Sequence, residues 1–287
     1  MMACFSALKG RFSDQELSYL QAALDGAEPF ITTDLIVAAA HEVLTYMPFE
    51  PATEVFKRRA MIWVRADSRL RAQKGRAMGQ GTSLNRRGRG LEAVTVHQQR
   101  YPYSDFFAVE DVSLSHTRFD GSQSAQMDRA AFVCADAVTV LPFDPVRLRV
   151  LVIEQFRVAP FVRGDQKPWV LEPIAGRVDA GESEDTTARR EAVEEAGVNI
   201  GALHRVGGYY PSPGAMTEYV TSYVGIADLP DDIVGVGGLD SEDEDIASML
   251  LSYEDLMSLA DQGALDTGPL MLTALWLARH KDRIAAC

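Results

Sequence analysis

The spacing of apolar residues changes character along this chain. From residue 13 to about 73 it is helical. Ser13 precedes DQELSYLQAAL, with Glu16 three residues on. That is the form of a capping box, in which a hydroxyl and a carboxylate satisfy the free N–H groups of a first helical turn. TTDLIVAAAHEVLTYM repeats the helical spacing until Pro48 and Pro51 interrupt it. A third helical stretch begins near Ala52 and runs to about Arg71. Residues 74–90 hold five glycines, little apolar content and many positive charges, which reads as a linker.

From residue 91 the pattern favours strands. VTVHQQRY, FFAVEDVSLSHTRF, AAFVCADAVTVLPF and RLRVLVIEQFRV are rich in β-branched and aromatic residues and are separated by turn signals. VLPFDPVRLRVLVIEQ reads as two strands joined at Asp144-Pro145. A helix is predicted over 184–196, and strands recur at 203–210, 219–226 and near 247–252. The final segment is helical: YEDLMSLADQG, closed by Gly263, then GPLMLTALWLARHK. Strands around a central helix, with a terminal helix closing the sheet, predict a mixed α/β sandwich.

Composition narrows the classes of function. At 287 residues with 47% hydrophobic content, the chain has enough apolar residues for a sizeable core. The net charge of −13 argues against non-specific nucleic-acid binding, and no run has the length of a membrane span. Cys4, Cys134 and Cys287 are scattered, without metal-ligand spacing. With no convincing signal peptide, the expected location is the cytoplasm. One segment opposes the overall charge: from Glu54 to Arg89 there are eleven Lys or Arg against two acids. It reads either as a docking patch for an acidic partner or as a solvated helix face followed by a linker.

The chemistry concentrates at 176–198, GRVDAGESEDTTARREAVEEAGV. Ser183 suits an N-cap, Glu184 and Asp185 complement the first turn, and Gly197 can end the helix. Glu191, Glu194 and Glu195 fall at i, i+3 and i+4, on one helical face. Crowded carboxylates repel one another, and a hard divalent cation relieves the repulsion; oxygen ligands suit Mg²⁺ or Mn²⁺. An acidic helix face alone reads as solvated surface. Here Gly176, Glu182, Arg190 and Gly197 stand in register with it.

The segment matches G-x5-E-x7-R-E-U-x-E-E-x-G-U, where U is a bulky aliphatic residue and Ala192 is the soft fit. The chain thus resembles the Nudix hydrolases over roughly 91–285. Within them it is most similar to the ADP-ribose pyrophosphatases, including the tellurite-resistance-associated members. VLPFDP (140–145), IEQFR (153–157), PWVLEPIAG (168–176), SPG (212–214) and GLDSEDEDI (238–246) extend the likeness. The resemblance implies a Nudix α/β/α sandwich at 131–287. Ahead of it stand a β segment at 89–130, for dimerisation and substrate binding, and a helical extension with basic linker at 1–88. It implies metal ligation by Glu191, Glu195 and the Ala175 carbonyl, with Glu194 joining or holding water. Gly176, Glu182, Arg190 and Gly197 become supporting residues, Glu182 and Arg190 as an ion pair. The acidic loop implies a general base at Glu242 or Glu244, with Glu242 preferred. Substrate contacts fall to Arg129, Arg157, Phe106, Glu218 and Pro213, the proline fifteen residues past Val198 being the family's marker for ADP-ribose. A homodimer whose sites use both chains is expected.

The expected reaction is Mg²⁺-dependent hydrolysis of ADP-ribose to AMP and ribose 5-phosphate. Two alternatives stay open: another nucleoside diphosphate derivative, such as a sugar nucleotide or NADH, and a non-catalytic ADP-ribose sensor. Nothing in the residues speaks to tellurite chemistry.

Overall fold

Ser13 caps the first long helix as its sequence predicts. Its hydroxyl accepts from Glu16 N, and the Glu16 carboxylate accepts from Ser13 N at 2.7 Å. The structure, a computed structural model, describes residues 2–26, 29–74, 90–238 and 244–285. The predicted linker therefore lies almost wholly outside the described residues, as does Glu242. The chain divides into two compact units, Met1–Ala135 with Ser212–Glu218, and Asp136–Pro211 with Tyr219–Cys287.

The first unit contains α1 (Met2–Ser6), α2 (Asp14–Ala23), α3 (Thr33–Tyr46), α4 (Ala52–Lys57) and α5 (Arg59–Gln73). The third predicted helix is thus two, broken at Arg58, whose φ of −107° and ψ of 14° leave the helical region. An antiparallel sheet follows in the order β1 (Val94–Ser104), β2 (Ala108–His116), β3 (Met127–Val133). Where the basic run is described, several of its arginines are held by carboxylates. Arg58 pairs with Glu50 at 2.9 Å, Arg65 with Glu42 at 2.6 Å and Arg71 with Asp67 at 2.7 Å.

The second unit is an α/β/α sandwich. Its sheet runs β10 (Val236–Gly237), β11 (Ile246–Ser252), β5 (Arg149–Phe156), β4 (Ala137–Asp144), β9 (Val220–Ile226), β8 (Leu203–Tyr209). Short strands β6 (Trp169–Glu172) and β7 (Ile174–Arg177) pair with β5 and β4. The β4–β9 pair is parallel and its neighbours are antiparallel, so the sheet is mixed. Strands β4 and β5 are buried on both faces, which explains their unbroken apolar sequence. Val138, Val140, Leu151 and Ile153 face α7 (Glu184–Ala196). Leu141, Phe143, Val150 and Val152 face α8 (Tyr253–Asp261) and α9 (Gly268–Ala285). α6 (Val158–Arg163) follows β5. Among the described residues, no helix is long and apolar enough to cross a membrane.

Candidate active site

The segment 176–198 folds as a strand end, a loop and a helix. Ser183 Oγ accepts from Thr186 N at 3.2 Å, opening α7, and Gly197, with φ of 63°, closes it in the left-handed region that glycine tolerates. Ala188 and Ala192 lie against the sheet without exposure. The soft fit at Ala192 is thus a small residue where helix meets sheet. Glu195, three residues on, continues this inner stripe and is 2% exposed.

Arg190 ties the loop to the helix. Its Nε and Nη2 donate to the two Glu182 oxygens at 3.2 and 3.1 Å, and Nη2 also reaches the Arg177 carbonyl at 3.4 Å. Its Nη1 donates to Glu191 Oε1 and Glu194 Oε2, both at 2.7 Å. Burial disfavours the Glu182 charge, but hydrogen bonds from Arg190 and Thr187 outweigh it and hold the carboxyl below its usual range.

The three helix glutamates therefore divide. Glu191 and Glu194 share Arg190, whereas Glu195 turns to β7, where its Oε2 accepts from Ala175 N at 3.2 Å. No side-chain cation among the described residues forms an ion pair with Glu195. Burial, with the fields of Glu191 and Glu244 added, pushes its carboxyl up to about 8. Burial likewise pushes Glu191 up to about 7, with Glu194 and Glu244 adding to it against Arg190. Among the described residues, no three acidic, His or Cys side chains converge as a ready metal cluster. What stands there is a buried carboxylate without a paired cation. Such a group requires a proton or a positive ion, so the donor set fits a hard divalent cation.

Glu244 reaches this cluster because two glycines admit it. A Cβ on Gly237 would overlap the Glu195 carbonyl, and one on Gly238 would lie 2.7 Å from Glu244 Cβ. Gly238 N donates to Glu194 O at 3.4 Å. Arg157, between β5 and α6, donates through Nε to Glu172 Oε2 at 2.6 Å, and its charge opposes the rise at Glu195. Glu172 was not singled out from the sequence. It lies inside the PWVLEPIAG string, but its pairing spans fifteen residues and only the fold reveals it.

The remaining expected residues belong to the first unit. Phe106 is 52% exposed at the tip of the β1–β2 turn. Arg129 is exposed on β3, opposite Val112. Pro213 lies in a turn in which Ser212 O accepts from Ala215 N and Met216 N, both at 3.0 Å. That segment joins β3 through Phe132 N to Ala215 O at 2.8 Å and Thr217 N to Phe132 O at 3.0 Å. Glu218 is half-buried at its end.

Comparison with known proteins decides the family. The NUDIX domain model matches residues 135–272. An ADP-ribose pyrophosphatase of Escherichia coli strain K12 is 35% identical over 195 residues, spanning 68% of this chain and 92% of that protein. The chain belongs to the Nudix hydrolases. An ADP-ribose pyrophosphatase of Haemophilus influenzae is 31% identical over 177 residues, 61% of this Nudix chain and 81% of the relative. A GDP-mannose pyrophosphatase of Escherichia coli O9:H4 is 27% identical over 186 residues, 65% of this chain and 95% of the relative. The crystal structure of an ADP compounds hydrolase shares the Nudix fold, with a TM-score of 0.51 and 20% identity over 67% of this chain and 98% of its own.

Proposed function

We infer that this Nudix hydrolase cleaves the diphosphate of ADP-ribose to AMP and ribose 5-phosphate. The observation that carries the chemistry is Glu195, buried on α7 without a paired cation, with Glu191 and Glu244 in its field. Glu191, Glu195 and the Ala175 carbonyl would hold Mg²⁺ or Mn²⁺, with Glu194 supporting from its bond to Arg190. When bound, the cation neutralises the diphosphate and acidifies water. Glu244, or Glu242 in the same acidic loop, takes the proton of the attacking water. One phosphorus–oxygen bond forms, the bridging bond breaks, and the departing phosphate leaves as an anion. Arg157 meets an anionic group of the substrate, as its guanidinium geometry suits. Phe106, Arg129, Pro213 and Glu218 take the nucleoside and ribose parts, and a homodimer completes the assembly. The preference for ADP-ribose draws its support from the two ADP-ribose pyrophosphatase relatives and from Pro213.

A second reading, another nucleoside diphosphate sugar, is favoured by the GDP-mannose pyrophosphatase relative. The test is a panel of ADP-ribose, GDP-mannose, NADH and diadenosine polyphosphate with Mg²⁺. Analysis of products formed in isotopically labelled water locates the attacked phosphorus. ADP-ribose is expected to show the highest kcat/KM, with AMP and ribose 5-phosphate as products; a higher value for GDP-mannose selects the second reading.

A further inference from the structure

Strand β5 carries a polar side chain that the chemistry above does not use. Gln155 is 7% exposed, and its Nε2 is buried with no hydrogen-bond partner among the described residues. Buried side-chain amides are nearly always paired, because an unmade hydrogen bond in the interior is costly. An orphaned donor is explained when its acceptor arrives with a ligand or moves as one binds.

The fold puts this donor on the face of the sheet that bears the carboxylates. Side chains alternate along β5, with Leu151 and Ile153 packed beneath α7 and Val150 and Val152 on the opposite face. The pairing of β5 with β11 runs without a register break, so Gln155 continues the face that α7 covers. Its neighbours across the sheet are Ile246 on β11 and Val170 on β6. Glu244 precedes Ile246 by two residues and Glu172 follows Val170 by two, the diagonal positions that long side chains reach. Glu195 is fixed on both sides of β5. A Cβ on Gly237, which pairs with Ile246, would overlap its carbonyl, and its Oε2 accepts from Ala175 N on β7 at 3.2 Å. Gln155 therefore lies on the strand between the two anchors of Glu195.

We propose that Gln155 is a positioning residue for the cation site: as Glu195 turns to a divalent cation, the Gln155 amide donates to its carboxylate and holds it in place. This rests on the reading of Glu195 as a metal ligand. Each carboxylate oxygen has two lone pairs, so it can hold a cation and accept a hydrogen bond together. Partners of this kind orient ligand carboxylates, and their loss weakens metal binding by roughly 10–100-fold. An amide suits the place because it donates without charge. With Glu172, Glu195 and Glu244 about it, a lysine would compete with the cation and another carboxylate would add repulsion.

Gln155→Met keeps most of the side-chain volume and removes the donor, and Gln155→Leu is a second variant of the same kind. Both are compared with the wild type by calorimetric titration of Mg²⁺ into chelator-treated protein, by melting with and without Mg²⁺, and by kinetics on ADP-ribose across Mg²⁺ concentrations. Mg²⁺ affinity is expected to fall about tenfold or more, and the Mg²⁺ concentration for half-maximal rate to rise in parallel. At saturating Mg²⁺, kcat should return to within about threefold of the wild type. The metal-free Tm should stay level or rise, because an orphaned donor has been removed from apolar surroundings. A purely structural role would lower the metal-free Tm and leave Mg²⁺ affinity unchanged, and that result overturns the proposal. Failure of both variants to fold assigns Gln155 to the core and overturns it as well. A wild type that binds no Mg²⁺ refutes the metal-ligand reading and the proposal with it. A wild type that binds Mg²⁺ beside variants of unchanged affinity refutes the role of Gln155 alone. A wild type that binds Mg²⁺ without hydrolysing ADP-ribose refutes the substrate reading, and the three affinities then decide the role of Gln155.

Discussion

Gly176 lies so close against Glu191 that a Cβ built on it would overlap the glutamate's carboxylate and Cγ. The glycine is required by close approach, since its neighbourhood and not its backbone angle excludes a side chain. Gly176→Ala must push Glu191 off its place beside Arg190. Steady-state kinetics should show kcat/KM falling about a hundredfold, because a displacement near 1 Å at a ligand is costly. Circular dichroism should show α7 retained. Normal turnover would remove Glu191 from the site.

Glu195→Gln keeps the shape and the Ala175 contact and removes the charge. Its kcat is expected to drop by about a thousandfold or more. The fold should persist, and above about pH 8 the metal-free variant should melt higher than the wild type, because a buried uncompensated charge is gone. A variant with near-normal turnover would contradict ligation by Glu195.

The pH dependence follows from the same pair. Glu191 and Glu195 sit at about 7 and about 8, above the ordinary 4.5. The folded protein therefore binds more protons than the unfolded chain between these values. Their contribution to stability is whole below about 4.5 and is lost as pH rises through about 7 to 8. A cation competes with those protons, so Mg²⁺ should raise Tm more at about pH 9 than at about pH 6. Melting in chelator and in Mg²⁺ across this range checks the sign. A chelated protein whose Tm gains on passing from about pH 6 to about pH 9 would falsify it.

Glu42 and Arg65 predict a non-additive pair. Arg65→Ala strands a carboxylate that is 0% exposed, at an expected cost of about 3–5 kcal/mol. Glu42→Leu combined with Arg65→Met removes both charges and should lie nearer the wild type than either single change. Urea denaturation of the four proteins measures the difference. Additive losses would show that the charges are not energetically coupled.

The sequence made α7 legible because cap, terminator and periodicity agree there: Ser183, Gly197 and the Ala188–Ala192 stripe mark the same boundaries. The sandwich was legible for a related reason, as β4 and β5 are long and apolar on both faces. Short elements escaped. Strands β6 and β7 have four residues each and are separated by Pro173, while α6 has six residues and contains Pro160. Too few residues repeat in such elements to establish a period. AAFVCADAVTVLPF reads as one run although its backbone leaves the sheet at 134–136, where the chain passes between units. The partners of charges escaped as well. Arg65 and Arg69 look alike in a basic run, yet the first is 1% exposed and the second keeps 23% of its side chain exposed. Burial depends on the α3–α5 packing, which local spacing does not encode.

The route of residues 212–218 has a consequence for how the protein is made. The chain leaves the second unit after Pro211, lays seven residues along β3 at Phe132 and returns at Tyr219. The first unit is therefore not a continuous stretch of sequence. During synthesis the free edge of β3 waits for a bridging segment encoded more than seventy residues later, so the amino-terminal unit cannot complete its contacts while the ribosome is still making β4 to α7. A fragment ending at Ala135 lacks that closing segment, and one beginning at Asp136 carries it with nothing to pair against.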